Sequence, residues 1–287
     1  MRIAFIILAH KQPAQLHRLL NRLQHPNIDC FVHIDAKCKI EDYAEVLALP
    51  QVYTVTPRVD VTWAGWGIVQ ATLNGMEATR NSGQKYTYIT MLSGQDYVIK
   101  SAEHIYQTLT QPSNRQYIGL ISEEELKPMM SKVDNYHLVE YNFPGKYKFA
   151  SLLTKILPAR KPPFGLKIHS GSAWWTLTQD CVNYLLDYIR ERPELVRYFK
   201  LTWGSDEFIF QTILMSSPYR EAVTGYDLHY IDWGTDRTKG QNHPKTLGME
   251  DVEPMLKSDK LVARKFEMDK NPALLDKIDQ ELKRLFP

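Results

Sequence analysis

The segment from Trp203 to Gln211 carries the acidic residues best placed for proton transfer. Ser205 is predicted to cap a helix whose first turn holds Asp206 and Glu207, where the helix dipole favours carboxylates. Apolar neighbours such as Phe208 would partly desolvate Glu207, which suits a general base. The same pattern also fits a helix start whose acids serve only stability, and spacing alone does not separate the two interpretations.

Three polar residues, His10, Asp35 and Asp96, follow predicted strands in the N-terminal third of the chain. Ligands of open parallel sheets bind at the carboxyl ends of strands, so these residues are expected at one binding edge. An acid in the position of Asp35 can accept hydrogen bonds from ribose hydroxyls or a base. The alternative is that Asp35 only caps the turn that follows it.

Several motifs that hold phosphates are missing from the sequence. It contains neither G-x-G-x-x-G nor G-x-x-x-x-G-K-[ST], which disfavours dinucleotide oxidoreductases and P-loop enzymes. It also lacks the D-x-D pair that holds a divalent cation in many nucleotide-sugar enzymes. Cationic side chains would then have to neutralise a nucleotide diphosphate. The candidates, each of which also fits a solvated helix face, are Lys239, Lys245, Lys257, Lys260, Arg264 and Lys265.

Aromatic residues are frequent in the C-terminal half. Flat rings stack on pyranose faces in sugar sites, although aromatic residues of a buried core are commoner. The candidates are Trp174, Trp175, Trp203, Tyr230 and Trp233.

The composition describes a folded chain with no strong charge bias. Of 287 residues, 44% are hydrophobic and 24% charged, with a net charge of +2. These values disfavour disorder and a general nucleic-acid binder. The three cysteines have no metal-ligand spacing, and reduced thiols are a simpler expectation than a Cys30–Cys38 pair. No stretch reaches the roughly 18 apolar residues of a membrane span, so we expect a cytoplasmic protein.

Strand-like and helix-like segments alternate along the first 120 residues, which predicts an α/β fold with a mostly parallel sheet between helices. Residues 121–170 are expected to form irregular loops that cover a site. Thr178 is a plausible N-cap. Strands are predicted at 2–8, 30–34, 52–55, 86–92 and 173–177, and helices at 13–23, 68–79, from Ser205 onward and at 273–286.

A series of short motifs, in order over most of the chain, resembles one family. The sequence is similar to the core-2/I-branching β-1,6-N-acetylglucosaminyltransferases and the peptide O-xylosyltransferases of glycosyltransferase family 14. The matching segments are 6–11, 32–37, 63–71, 92–97, 171–178, 205–208, 243–247 and 263–267.

The resemblance implies a glycosyltransferase-A type, Rossmann-like fold and an inverting, metal-independent transfer from a UDP-sugar. It makes Glu207 the catalytic base and places Lys265 and Lys245 on the diphosphate, although Lys245 replaces an Arg and loses its bidentate fork. Donor contacts are assigned to His10, Asp35 and Asp96, and acceptor contacts to Trp175, Tyr230 and Asp232. No cofactor is expected.

The resemblance also defines the expected partners and domain organisation. One domain over 1–287 is expected, with a nucleotide-sugar-binding half at 1–120 and an acceptor and catalytic half at 121–287. The sequence lacks the membrane anchor and paired cysteines of the animal members, so it looks like a compact bacterial relative. N-acetylglucosamine is the expected sugar and a saccharide or glycoconjugate the acceptor. Transfer from UDP-xylose or UDP-glucose, an inactive carbohydrate-binding relative, and peripheral contact with the inner face of a membrane remain alternatives.

Overall fold

The apolar run at the N-terminus forms the central strand of the larger sheet. The structure, a computed structural model, describes residues 1–234 and 244–285. Alternate residues of the first strand pack into two different cores, with Phe5 on one face of the sheet and Ile6 on the other. A strand covered on both faces needs a continuous apolar run rather than alternation, and its sequence has one.

The larger sheet contains seven strands in the order β3-β2-β1-β4-β7-β6-β8. The first four are mutually parallel, β7 is antiparallel to both neighbours, and β6 pairs with β8 in parallel. The predicted mostly parallel α/β sheet is therefore confirmed. The strands are β1 (Arg2–Ala9), β2 (Ile28–Ile34), β3 (Val52–Thr54), β4 (Tyr86–Ser93), β6 (Gln116–Gly119), β7 (Trp175–Thr178) and β8 (Val223–Gly225).

Helices cover both faces of this sheet. The helices are α1 (Pro13–Arg22), α2 (Ala44–Leu47), α3 (Trp66–Asn81), α4 (Ala102–Thr110), α5 (Glu123–Leu126), α6 (Ser131–Asp134), α7 (Lys146–Ile156), α8 (Gln179–Arg190), α9 (Pro193–Lys200), α10 (Ile209–Leu214), α11 (Val252–Lys257) and α12 (Pro272–Leu285). Helices α1 and α12 contribute to the core that contains Phe5, whereas α3, α8, α9 and α10 contribute to the core that contains Ile6.

A second, three-stranded sheet holds the C-terminal motif against the carboxyl end of β4. It has the order β5-β10-β9, formed by β5 (Asp96–Val98), β9 (His229–Ile231) and β10 (Val262–Arg264). Arg264 pairs in register with Asp96 on one side and Ile231 on the other. The register therefore brings residues from three distant parts of the chain to one place.

Two local predictions are wrong. Ser205 does not cap a helix: Gly204, at φ 69°, precedes a 3₁₀-helix at Ser205–Glu207, and α10 follows. Residues 121–170 are also not only loops, because they include α7, which is 11 residues long. The Thr178 cap is confirmed, since its side chain accepts from the Cys181 amide.

Candidate active site

The ends of β1 and β2 meet at Asp35. Its amide donates to the Ala9 carbonyl over 2.8 Å, and its carboxylate accepts from the Lys37 amide over 2.9 Å. The Lys37 ammonium lies 3.3 Å from the other carboxylate oxygen. His10 is exposed overall, but partial burial of its ring lowers its pKa. The charge of Lys11 lowers the pKa further, and the charge of Asp35 opposes this decrease. His10 and Asp35 thus share one corner of the sheet.

A group of ammonium ions around Glu267 occupies the neighbouring edge. The Glu267 carboxylate lies 2.9 Å from Lys11, 3.6 Å from Lys265 and 3.7 Å from Lys270, and accepts from Gln95 over 2.8 Å. One carboxylate faces three ammonium groups, so the group carries excess positive charge. Burial lowers the pKa of Lys265, and the positive charges of Lys11 and Arg264 lower it further, whereas the negative charge of Glu267 raises it. A bound anion would relieve this repulsion.

Asp96 is enclosed by protein. It is 0% exposed, its carboxylate accepts from the Ser93 amide over 2.7 Å, and the Arg264 guanidinium lies 3.3 Å away. Burial raises its pKa, and the charge of Arg264 opposes that rise. The donor contact predicted for Asp96 would need this packing to open, and in this structure Asp96 positions Arg264.

Asp206 and Glu207 lie on the 3₁₀-helix that opens the predicted catalytic segment. The Glu207 side chain is 34% exposed. Its carbonyl is anchored by the Gly171 amide and the Ser170 hydroxyl, each at 3.0 Å. Enclosure by protein raises the pKa of Asp206 to about 7, and the charge of Glu207 adds to that rise. Both side chains are partly exposed, and Glu207 is the one whose carboxylate contacts Lys132.

Lys132 contacts Glu207 and was missed by the sequence analysis. Its ammonium lies 3.4 Å from a Glu207 carboxylate oxygen and 4.4 Å from the centre of the Trp203 ring. The Trp203 amide also donates to the Lys132 carbonyl over 3.0 Å. Lys132 belongs to the segment expected to be loops, and a lone lysine there matches no motif. Only the fold brings Lys132 next to Glu207.

Arg264 connects the acidic and basic parts of the site. Its guanidinium packs 4.0 Å over the Trp174 ring. The positive charges of Lys132 and Arg264 both oppose the rise in the pKa of Asp206. Lys265, the next residue, belongs to the ammonium group around Glu267. Arg264 therefore lies near Asp206, and the next residue in the chain belongs to that ammonium group, the cationic edge of the site.

Trp174, not its neighbour, lines this site. Trp175 is only 1% exposed and packs against Phe210 in the core. The acceptor contact predicted for Trp175 would require the ring to leave that packing. Trp175 belongs to β7 and to the core, whereas Trp174 precedes the strand and is only partly buried, and the sequence does not say which one is buried.

Lys245 lies in a carboxylate cluster. Its ammonium is 3.0 Å from Asp251, 3.0 Å from Glu250 and 3.8 Å from Asp232. These carboxylates raise its pKa and hold it protonated, chiefly through the hydrogen bonds that Lys245 donates to Glu250 and Asp251. Half-buried Tyr230 lies near the same carboxylates. A diphosphate contact by Lys245 stays a prediction, and it requires exchanging a carboxylate partner for phosphate.

The other predicted cations are dispersed. Lys257 is 74% exposed and pairs with Glu253 on α11, as a solvated helix face would. Lys260 donates to the Asp227 carbonyl over 2.7 Å. Lys239 lies outside the described residues, so of the predicted cluster the structure places Arg264 and Lys265 at the site edge.

Residues 3–258 match the family model described as Core-2/I-Branching enzyme. The chain belongs to the Core-2/I-branching enzyme family. Among relatives, it is 26% identical to a β-glucuronosyltransferase of Arabidopsis thaliana, over 98% of this chain and 66% of the relative. It is 27% identical to a human β-1,3-galactosyl-O-glycosyl-glycoprotein β-1,6-N-acetylglucosaminyltransferase, over 74% of this chain and 47% of the relative.

The chain spans about half to two thirds of the length of these curated relatives. Among solved structures, a galactosyltransferase with bound donor and acceptor analogues aligns with 99% of the chain at a TM-score of 0.47 and 10% identity. Mouse xyloside xylosyltransferase 1 aligns with 92% of the chain at a TM-score of 0.42 and 12% identity. The α/β fold is established by the sheet order and by membership of the Core-2/I-branching family.

Two features are absent from the described residues. Within 1–234 and 244–285, no group of three or more His, Cys, Asp or Glu side chains is arranged to hold a metal ion. None of the helices in these ranges is long and apolar enough to cross a membrane. All three cysteines are unpaired thiols.

Proposed function

We propose that this protein transfers a sugar, N-acetylglucosamine in the first instance, from a UDP-sugar to a hydroxyl of a saccharide or glycoconjugate. The transfer inverts the anomeric carbon and uses no metal ion. The observation that carries the proposal is Glu207, a partly exposed carboxylate beside Lys132, in the same site as Arg264 and the adjoining ammonium group around Glu267. A base and a cationic edge in one site suit a direct displacement.

Glu207 acts as the general base. The acceptor hydroxyl lies within hydrogen-bond reach of its carboxylate and loses its proton as the new bond to the anomeric carbon forms. Lys132 and the anchored backbone carbonyl hold the carboxylate in place. Asp206, the preceding residue, does not contact the acceptor in this arrangement.

The leaving UDP takes negative charge as the glycosidic bond breaks. Lys265, with Lys11 beside it, is placed to stabilise that charge on the diphosphate, and Lys245 joins them if it leaves its carboxylate partners. A well-placed charged group of this kind lowers the barrier by about 3–4 kcal/mol. Asp35 and His10, at the adjacent strand ends, serve the nucleoside.

UDP release under excess EDTA tests this proposal. Purified protein is given UDP-N-acetylglucosamine, UDP-glucuronic acid, UDP-xylose and UDP-glucose in separate assays, because relatives transfer different sugars. We expect turnover with one donor and no loss on adding EDTA. Loss in EDTA with recovery in Mn²⁺ would overturn the metal-free mechanism, and no turnover with any donor would favour an inactive carbohydrate-binding relative.

A matched pair of lysine variants tests the cationic edge. Lys265 and Lys270 both face Glu267, but Lys265 is 23% exposed and Lys270 69%. Lys265→Ala should lower kcat by about 10²–10³-fold, as expected for loss of one preorganised charge. Lys270→Ala should change kcat little, and equal losses in the two variants would argue against a diphosphate role for Lys265.

A further inference from the structure

Exposed apolar side chains are concentrated in one segment. Eight of the fifteen exposed large hydrophobic side chains among the described residues lie between positions 141 and 164. The two most exposed of them are on α7, Tyr147 at 78% and Ile156 at 67%, and α7 also carries Leu152 at 51%. Surface apolar residues are normally scattered, so this concentration indicates an interaction surface.

Helix α7 has an inward and an outward side. Ala150 is buried, and the Thr154 hydroxyl accepts from the Tyr136 amide over 3.2 Å, which fixes the inward side. At 100° per residue, Phe149, Leu152 and Ile156 form a stripe on the outward side. Phe143 extends this stripe, because its ring lies 6.2 Å from that of Phe149.

Lysines line this apolar stripe. Lys148 and Lys155 fall beside it on the outward side of α7, and both are exposed. The whole stretch from 141 to 179 contains six Lys and Arg residues and no Asp or Glu. We call the surface formed by Phe149, Leu152, Ile156, Lys148 and Lys155 the basic–apolar face. The stretch from 141 to 179 thus carries six positive charges and no negative one, whereas the whole chain has a net charge of only +2.

The end of this segment is anchored beside the candidate active site. The buried Arg160 guanidinium donates to the carbonyls of Val133 over 3.0 Å and Leu201 over 2.7 Å. Val133 follows Lys132 in the chain, and Leu201 lies two residues before Trp203. Lys132 in turn contacts both the Trp203 ring and the Glu207 carboxylate. The basic–apolar face is thereby attached to the part of the fold that carries the base.

We infer that the basic–apolar face docks on an anionic phospholipid membrane. Apolar and aromatic side chains interleaved with lysines on the outer side of a helix are the pattern of helices that lie in a membrane interface. The cations match the negative surface of such a bilayer and the apolar stripe enters its acyl boundary. Symmetric pairing of two copies would instead bring lysines against lysines, which charge repulsion opposes. The inference does not depend on the proposed sugar transfer.

Vesicle flotation with the full chain tests the inference. Vesicles of phosphatidylcholine alone are compared with vesicles containing phosphatidylglycerol, at low and high salt. We expect binding to the anionic vesicles, weak binding to neutral ones, and a decline with salt because the charges are screened. A lysine at an anionic surface raises partitioning about fivefold. No binding to anionic vesicles, or equal binding to both kinds, would overturn the inference.

Three variants locate the contact. Lys148→Glu with Lys155→Glu, and separately Leu152→Ser with Ile156→Ser, should each reduce binding at least about tenfold. The matched control is Lys85→Glu with Lys200→Glu, which makes the same change in net charge at exposed positions elsewhere and should bind as wild type. Circular dichroism and thermal melts verify that each variant is folded. Equal loss in the control would mean nonspecific attraction, and a wild-type dimer dissociated by the serine variant would assign the face to a second copy; either result overturns the inference.

Discussion

Two adjacent carboxylates in this protein have different surroundings. The pKa of Asp206 is raised to about 7, while Glu207 keeps a third of its side chain exposed beside Lys132. Different environments of this kind are how neighbouring acids take different roles. The sequence pattern identifies the pair, and the contact with Lys132 favours Glu207 as the acid that would meet an acceptor hydroxyl.

The raised pKa of Asp206 predicts a pH-dependent stability. A carboxyl whose pKa is higher in the folded state stabilises the fold fully below its unfolded pKa, about 3.9. That contribution is lost as the pH rises through the folded value of about 7. Asp206→Asn stays neutral, so its free energy of unfolding should rise relative to wild type between pH 5 and pH 8. Urea unfolding at the two pH values measures this, and a difference independent of pH would contradict the assignment.

At the scale of elements, the turn before the 3₁₀-helix sets the direction of Glu207. Gly204 adopts φ 69°, and a Cβ added there would lie 3.5 Å from a Glu207 carboxylate oxygen. Gly83 has a similar φ of 71° but nothing within 4 Å of an added Cβ. The two glycines therefore share a backbone conformation and differ in their neighbours.

Alanine at these two glycines should separate stability from catalysis. Each substitution places a Cβ in the left-handed region and should lower the free energy of unfolding by about 1 kcal/mol. Only Gly204→Ala should also reduce kcat, because its methyl group would lie against the Glu207 carboxylate and replace solvent there. Chemical unfolding and UDP release measure the two effects, and an equal loss of kcat in Gly83→Ala would refute the positional argument.

The sequence predicts the central strands well because their pattern is local. β1, β2 and β4 are apolar runs between helices, and Pro13 and Thr178 mark helix starts by their own chemistry. The three-residue strands β5, β9 and β10 were not predicted, since only long-range pairing makes them strands. Ser205 failed as a cap because the chain adopts a left-handed backbone angle at Gly204, which glycine favours, and Ser205 already lies inside the 3₁₀-helix that follows.

At the scale of the whole molecule, the candidate site combines distant parts of the chain. Lys265 and Glu267 lie against Lys11 and Gln95, so the donor side expected within residues 1–120 also includes C-terminal residues. Glu207 and Lys132 come from later segments of the chain, outside residues 1–120. Motif order predicted the members Glu207, Lys265, Asp35 and His10, but Lys132 and the choice of Trp174 over Trp175 depend on tertiary packing.

This separation predicts that donor binding and turnover respond differently to loss of the base. Glu207→Gln keeps the shape of the side chain and leaves the ammonium group around Glu267 unchanged. The most direct measurement is therefore titration calorimetry with UDP beside UDP release from the donor, for wild type and Glu207→Gln. The account predicts an unchanged Kd for UDP and a kcat lower by about 10²–10⁴-fold. A variant that keeps wild-type kcat, or that loses UDP binding in proportion to turnover, would contradict Glu207 as the catalytic base.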